Sequence, residues 1–180
     1  AKTKDKYHAS DPYKPVAGNP YLLTGSLAGL DAPGEWFLDE VRGTVYFWTP
    51  DGKAPAAGSL SVKQRECACD LSGLRFIEVK GFMIFGAGVS MNNSENCLLE
   101  DCRLRYVEHF RECGLNREPP VRNVVTGKNN QWRRCLIAYA ASSALRIGGE
   151  NNRLLDSIVH DANYLGTGRG GVDLGRSVGA

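Results

Sequence analysis

Four short segments constrain the fold most, because they align on one pattern of apolar, x, x, small, x, apolar. They are LEDCRL (99–104), WRRCLI (132–137) and LLDSIV (154–159), with VKGFMI (79–84) as a looser fourth. Their leading residues Val79, Leu99, Trp132 and Leu154 stand 20, 33 and 22 positions apart, and the long interval shrinks to about 22 if HFRECGLNREP (109–119) is a lateral insertion. Each of the last three segments follows an Asn-bearing turn: NNSEN (92–96), KNN (128–130) and ENN (150–152). Short alternating stretches, GVSM (88–91), VVT (124–126) and ALRI (144–147), precede these turns, and GVDL (171–174) begins a further unit.

A period of about 22 residues marks a repeat architecture, and repeats take precedence over local propensity in assigning a fold. No window of about 12 residues keeps helical apolar spacing without a Gly, Asn or β-branched interruption. The pattern therefore predicts an all-β solenoid whose successive coils stack roughly 4.8 Å apart, each hydrogen-bonded to the next. Equivalent residues then form columns. Cys102, Cys135 and Ser157 fall in one small interior column, where a free Cys acts as a small hydrophobe. Cys67 and Cys69 alternate like a strand face and leave pairing open, and Cys113 lies in the insertion. In the first strand of each coil the inward residues are Val89 and Met91, Val125, Leu145 and Ile147, Val172 and Leu174. Ser90, Val124, Arg146 and Asp173 form one outward column, and Asn92, Thr126, Gly148 and Gly175 a second.

Upstream, EWFLD and VYFW in residues 35–48 read as a hairpin joined by EVRGT, with Gly43 supplying the positive φ of a tight connection. The chain is divided at 1–58, an extended segment with this hairpin, and 59–180, the coils. The stretch VDLGRSVGA (172–180) follows a first strand with no terminal helix or polar coil, so another subunit, or the remainder of a longer β-helix, is expected over the last coil.

Of the 180 residues 22 are basic and 20 acidic, a net charge of +2 that favours neither nucleic acid nor an anionic membrane as partner. No run of about 18 apolar residues exists, and AKTKDKYHASDPYKP lacks the apolar stretch of a signal peptide. The glycine-rich IVHDANYLGTGRGGVDLG (158–175) is not a phosphate loop, since it lacks a closing Gly-Lys-Ser/Thr, and no helix follows it. Within it HDANYLGTGRGG (160–171) reads as the bend from the last strand of one coil to the first strand of the next, which His160 and Asp161 enter as they leave the third strand, and VDLG (172–175) reads as that first strand.

These repeats resemble the right-handed parallel β-helix proteins of the pectate-lyase-like superfamily over roughly residues 60–180. DAPGEWFLDEVRGTVYFWTPDG (31–52) is similar to the lead-in found in many secreted bacterial carbohydrate-active members, and CDLSGLRFIEVKGFMIFGA to their first coil. The resemblance implies an extracellular or periplasmic protein acting on a polysaccharide or oligosaccharide, with the substrate groove along the first sheet and the bends that wall it. A glycoside hydrolase needs two carboxylates, about 5–5.5 Å apart for retention or 6.5–9.5 Å for inversion. Asp161 and Asp173 are the expected pair, with His160 tuning Asp161, and Arg146, Glu108, His109 and Arg169 as substrate-binding candidates. The structural alternatives are an Arg146–Asp173 ion pair and a His160 that bonds the backbone of its bend.

A polysaccharide lyase is the second reaction class, in which Arg146, Arg169 and His160 neutralise a uronate and remove its proton. Asp161 and Asp173 would then hold Ca²⁺, although the dense Asp clusters of tight calcium sites are absent. No cofactor is otherwise expected. The third class is a non-catalytic module whose aromatics stack on sugars. For that, Trp36, Tyr46, Trp48 and Trp132 are available, but packing in the core is the expected use of all four.

Overall fold

The computed structural model describes residues 16–18, 25–108, 123–164 and 170–175. The chain divides into two compact units, Ala1–Ser61 and Val62–Ala180. Among the described residues the first unit holds a short 3-10 turn, Leu27–Gly29, and one antiparallel hairpin, β1 (Trp36–Asp39) with β2 (Thr44–Phe47). Gly43 takes φ +62° in its turn, where Asp39 Oδ1 accepts a hydrogen bond from the Arg42 amide at 3.0 Å. The hairpin is as expected, but the burial of its tryptophans is not. Trp36 is 67% exposed and Trp48 44% exposed, because among the described residues no second layer covers this two-stranded ribbon of four-residue strands. Tyr46 is half-buried.

The second unit is all-β, and its chain passes in turn through three stacked parallel sheets. The first sheet holds β3 (Cys67–Asp70), β6 (Gly88–Glu95), β9 (Val124–Lys128), β12 (Leu145–Ile147) and β15 (Val172–Leu174). The second holds β4 (Glu78–Lys80), β7 (Leu98–Glu100), β10 (Gln131–Arg133) and β13 (Arg153–Leu155). The third holds β5 (Met83–Phe85), β8 (Arg103–Arg105), β11 (Leu136–Ala140) and β14 (Ile158–Ala162). This arrangement is compatible with a β-solenoid.

The registers follow the predicted columns. Val79 pairs with Leu99, Leu99 with Trp132 and Trp132 with Leu154. Ser90, Val124, Arg146 and Asp173 succeed one another across the first sheet. Leu99, Leu104, Trp132 and Ile137 are wholly buried, and with Val89, Met91, Val125 and Leu145 they build the core. The small column holds too: Cys102 and Cys135 are buried, and Ser157 Oγ accepts from the Cys135 amide at 3.0 Å. Phe82 occupies the equivalent place in the first circuit, where its ring is too large to turn in, and is 56% exposed. Cys67, Cys69, Cys97, Cys102 and Cys135 are all free. Burial pushes the Cys135 thiol up to about 11, as suits a packing residue and not a nucleophile.

Left-handed residues stand at every corner, some beside a second such as Asn93, Glu108, Gly127, Gly149 or Asn163, and one recurring set marks the bends. These fall five residues apart, at Phe76, Gly81 and Gly86, then Asn96, Asp101 and Tyr106, then Asn129, Arg134 and Tyr139, then Asn151, Asp156 and Asp161. Gly, Asn and Asp adopt this conformation at low cost, whereas Phe76, Tyr106 and Arg134 are held in it by backbone hydrogen bonds to the adjoining circuit, and Tyr139 lies between the paired Ala138 and Ala140. Behind the first corner stands an asparagine series: Asn130 Oδ1 accepts from the Cys97 amide at 2.9 Å and Asn152 Oδ1 from the Asn130 amide at 2.8 Å.

The outer face of the second sheet carries a charge network. Glu100, almost buried, meets Lys80, Arg133 and Arg134, and Arg134 also bonds Asp101 at 2.8 Å. The Arg133 hydrogen bond foremost, with Lys80 and Arg134 beside it, holds the Glu100 carboxyl below the ordinary carboxylate range. A carboxyl lowered in the folded state adds stability above its unfolded value of about 4.3 and loses it as pH falls through the folded value. Glu100→Gln will therefore melt below the wild type at pH 7, and the two melting temperatures will converge in acid. A gap that stays constant with pH would contradict this role.

Candidate functional site

The described candidates other than Glu108 lie on strands that flank the corner between the third and first sheets. Its strands are the ends of β8, β11 and β14 on one side and the starts of β9, β12 and β15 on the other. In the last circuit a Cβ on Gly171 would make ordinary van der Waals contact, 3.7 Å from the Ala162 Cβ and 4.0 Å from Val159 Cγ1.

His160 and Asp161 were expected to have left the third strand, but both lie within β14, which runs through Ala162. The pairing of Ala140 with Ala162 carries the strand past the left-handed Asp161, which turns its side chain outward. The His160 Nδ1 and Asp161 Oδ2 are 2.8 Å apart, and both side chains are exposed. In place of a backbone contact, the imidazole has this carboxylate as its partner. Its ring also meets Tyr139 edge-on, with centroids 5.8 Å apart and planes at 76°.

Tyr139 continues a column that sequence reasoning missed. It stacks on Tyr106 at 5.1 Å and 19°, and Tyr106 meets Phe85 at 5.0 Å and 57°. Side chains on adjoining circuits are about as far apart as the circuits themselves, so such rings pack face to face and leave their edges to a ligand. Tyr106 and Tyr139 stand ten positions after the Asn96 and Asn129 corners, but neither residue type signals a left-handed backbone. Tyr164 joins the same corner: burial raises its phenol, and the nearby Tyr106 adds to the shift.

Across the corner, Asp173 is half-buried on β15 and pairs in register with the exposed Arg146. The two candidate carboxylates thus sit on the two strands that flank one corner, Asp161 at the end of β14 and Asp173 in β15.

Glu108 has a different surrounding from the one a substrate contact needs. It is 5% exposed, and its Oε1 accepts from the Asn123 amide at 2.6 Å. Asn123, itself wholly buried, accepts from the Val89 amide at 2.6 Å and donates to the Ala144 carbonyl at 2.9 Å. This carboxylate–amide staple ties three circuits together, so the placement of Glu108 is structural. His109 and Arg169 lie outside the described residues.

Among the described residues no three His, Cys, Asp or Glu converge to hold a metal ion. No described helix is long and apolar enough to cross a membrane. Compared with known proteins, the chain matches no family model, no curated protein and no solved structure.

Proposed function

We propose that residues 62–180 form a right-handed parallel β-helix of the pectate-lyase-like kind, and that the protein is a secreted glycoside hydrolase acting on a polysaccharide at the corner just described. The observation that carries this reading is the 2.8 Å His160–Asp161 pair, exposed on β14, with Asp173 on the strand that follows. In this reading Asp161 is the acid or base, His160 fixes the orientation of its carboxylate, and Asp173 is the partner carboxylate. Arg146, beside Asp173 in register, would bind a sugar hydroxyl or carboxylate. Location outside the cytosol rests on the resemblance alone, because the described cysteines are unpaired and lend it no support.

The test is a panel of polysaccharides assayed for new reducing ends and for the absorbance of an unsaturated uronide. Reducing ends alone support hydrolysis, and both signals together mean a lyase. Asp161→Asn and Asp173→Asn should each lower kcat by about 10²–10⁴-fold while the melting temperature stays nearly unchanged. Asn accepts the left-handed backbone of position 161 as readily as Asp, so a lost fold will not mimic lost chemistry. Full activity in either variant would remove that residue from the site.

The exposed Trp36 and Trp48 favour a second reading, in which the hairpin stacks on sugar rings without catalysis. Glycan binding that Trp36→Ala abolishes, with no reducing ends from any substrate, would select it.

A further inference from the structure

The outer face of the third sheet carries two cations with no acid beside them. Arg103 and Arg105 flank the wholly buried Leu104 on β8, so both side chains point outward and are exposed, roughly 6–7 Å apart along the strand. Arg75, Arg133 and Arg134 each meet a carboxylate, whereas the guanidinium groups of Arg103 and Arg105 make no ion pair or side-chain hydrogen bond among the described residues. The neighbouring strands supply no acid in register. Met83 and Phe85 stand beside the two arginines on β5, and Leu136 and Ala138 beside them on β11. Two like charges held this close without a counter-charge form a receptor for anions.

Apolar and aromatic surface adjoins the pair. Met83 is 78% exposed and Phe85 74%, and the ring of Tyr106, the residue after Arg105, lies between those of Phe85 and Tyr139. A guanidinium fork takes a carboxylate or a sulfate, and an exposed ring takes the apolar face of a sugar. The register joins this face to the candidate site, since Arg105 pairs with Ala138 and Ala138 with His160, two circuits or about 10 Å on. A polymer lying over the arginines thus continues to the His160–Asp161 corner, which favours a glycan over other polyanions.

We propose that Arg103 and Arg105 bind the acidic groups of an anionic glycan, carboxylate or sulfate, at a subsite two circuits from that corner. The inference rests on the polysaccharide reading above and extends it to a class of substrate. Isothermal titration calorimetry of the whole chain with a polyuronate, a sulfated galactan and a neutral glucan of similar length, at one salt concentration, tests it. One anionic probe should bind at least about tenfold more tightly than the glucan, and which one does so separates carboxylate from sulfate. Arg103→Gln and Arg105→Gln should each raise its dissociation constant at least about fivefold. Arg153→Gln removes an exposed charge from the second sheet instead and should change it less than about twofold, while circular dichroism confirms that all three variants fold. Anionic probes no tighter than the glucan, an equal loss in Arg153→Gln, or equal affinity for a single-stranded oligonucleotide would overturn the subsite. Arginine-dependent binding without new reducing ends from the bound probe would keep the subsite and remove the hydrolase. Hydrolysis of a neutral glycan that R103Q/R105Q performs unchanged would do the reverse.

Discussion

Trp132→Ala will destabilise the second unit by about 3–5 kcal/mol, the range for deleting a large buried aromatic. Trp132 is wholly buried between Leu99 and Leu154, and its indole Nε1 donates to Met91 Sδ at 3.3 Å. Removing the ring empties the centre of the second sheet's interior column. The backbone on either side is fixed by parallel pairing, so neighbouring circuits cannot collapse into the space. Urea unfolding will show the loss as a lower midpoint, and a change under about 1 kcal/mol would mean that the column is not packed as described.

Gly127→Ala will cost roughly 2–5 kcal/mol, the sum of a left-handed alanine and a backbone clash. Gly127 sits in β9 at φ +89°, where β6 and β9 change register between Met91 and Ser94. A Cβ there would stand 2.1 Å from the Ser94 carbonyl oxygen and 2.8 Å from the Ser94 nitrogen, and backbone atoms have no rotamer by which to yield. The control is Gly86→Ala, at φ +72° with nothing within 4 Å of the added carbon. Later circuits place Tyr106, Tyr139 and Asp161 at that corner, so Gly86→Ala should lose only about 1–2 kcal/mol. Equal losses at the two glycines in urea unfolding would show that conformation, and not close approach, governs both.

The repeat was legible because apolar identity survives at interior positions. Val79, Leu99, Trp132 and Leu154 share nothing but hydrophobicity, yet that suffices to set the register. The cysteines at 102 and 135 read as packing residues for the same reason: the column demands small side chains. The corners were legible only where Asn96, Asn129 and Asn151 announce them. Tyr106, Arg134 and Tyr139 carry no sequence signal for a left-handed backbone, since the surrounding hydrogen bonds impose it. Glu100 was invisible as the centre of a charge network, because Lys80, Arg133 and Arg134 come from other circuits.

The site was legible in part. The sequence placed Asp173 beside Arg146 in one column, and the register agrees. It placed His160 and Asp161 one element too late, because Asp161 is a corner residue that strand pairing nevertheless spans. Glu108 looked like a surface acid next to a histidine, but it is buried and bonds the amide of Asn123, fifteen positions on, a contact that local pattern does not give. Trp36 and Trp48 were read as core because aromatic residues usually are, but among the described residues the hairpin has too few layers to bury them.

The stacking of circuits in one register underlies every part of this account, and nuclear Overhauser contacts of the Trp132 ring test it most directly. The account predicts contacts from that ring to the methyls of both Leu99 and Leu154, residues 33 positions before it and 22 after it. A Trp132 ring with contacts to neither leucine, or with only the sequence-local contacts of a helix, would contradict it.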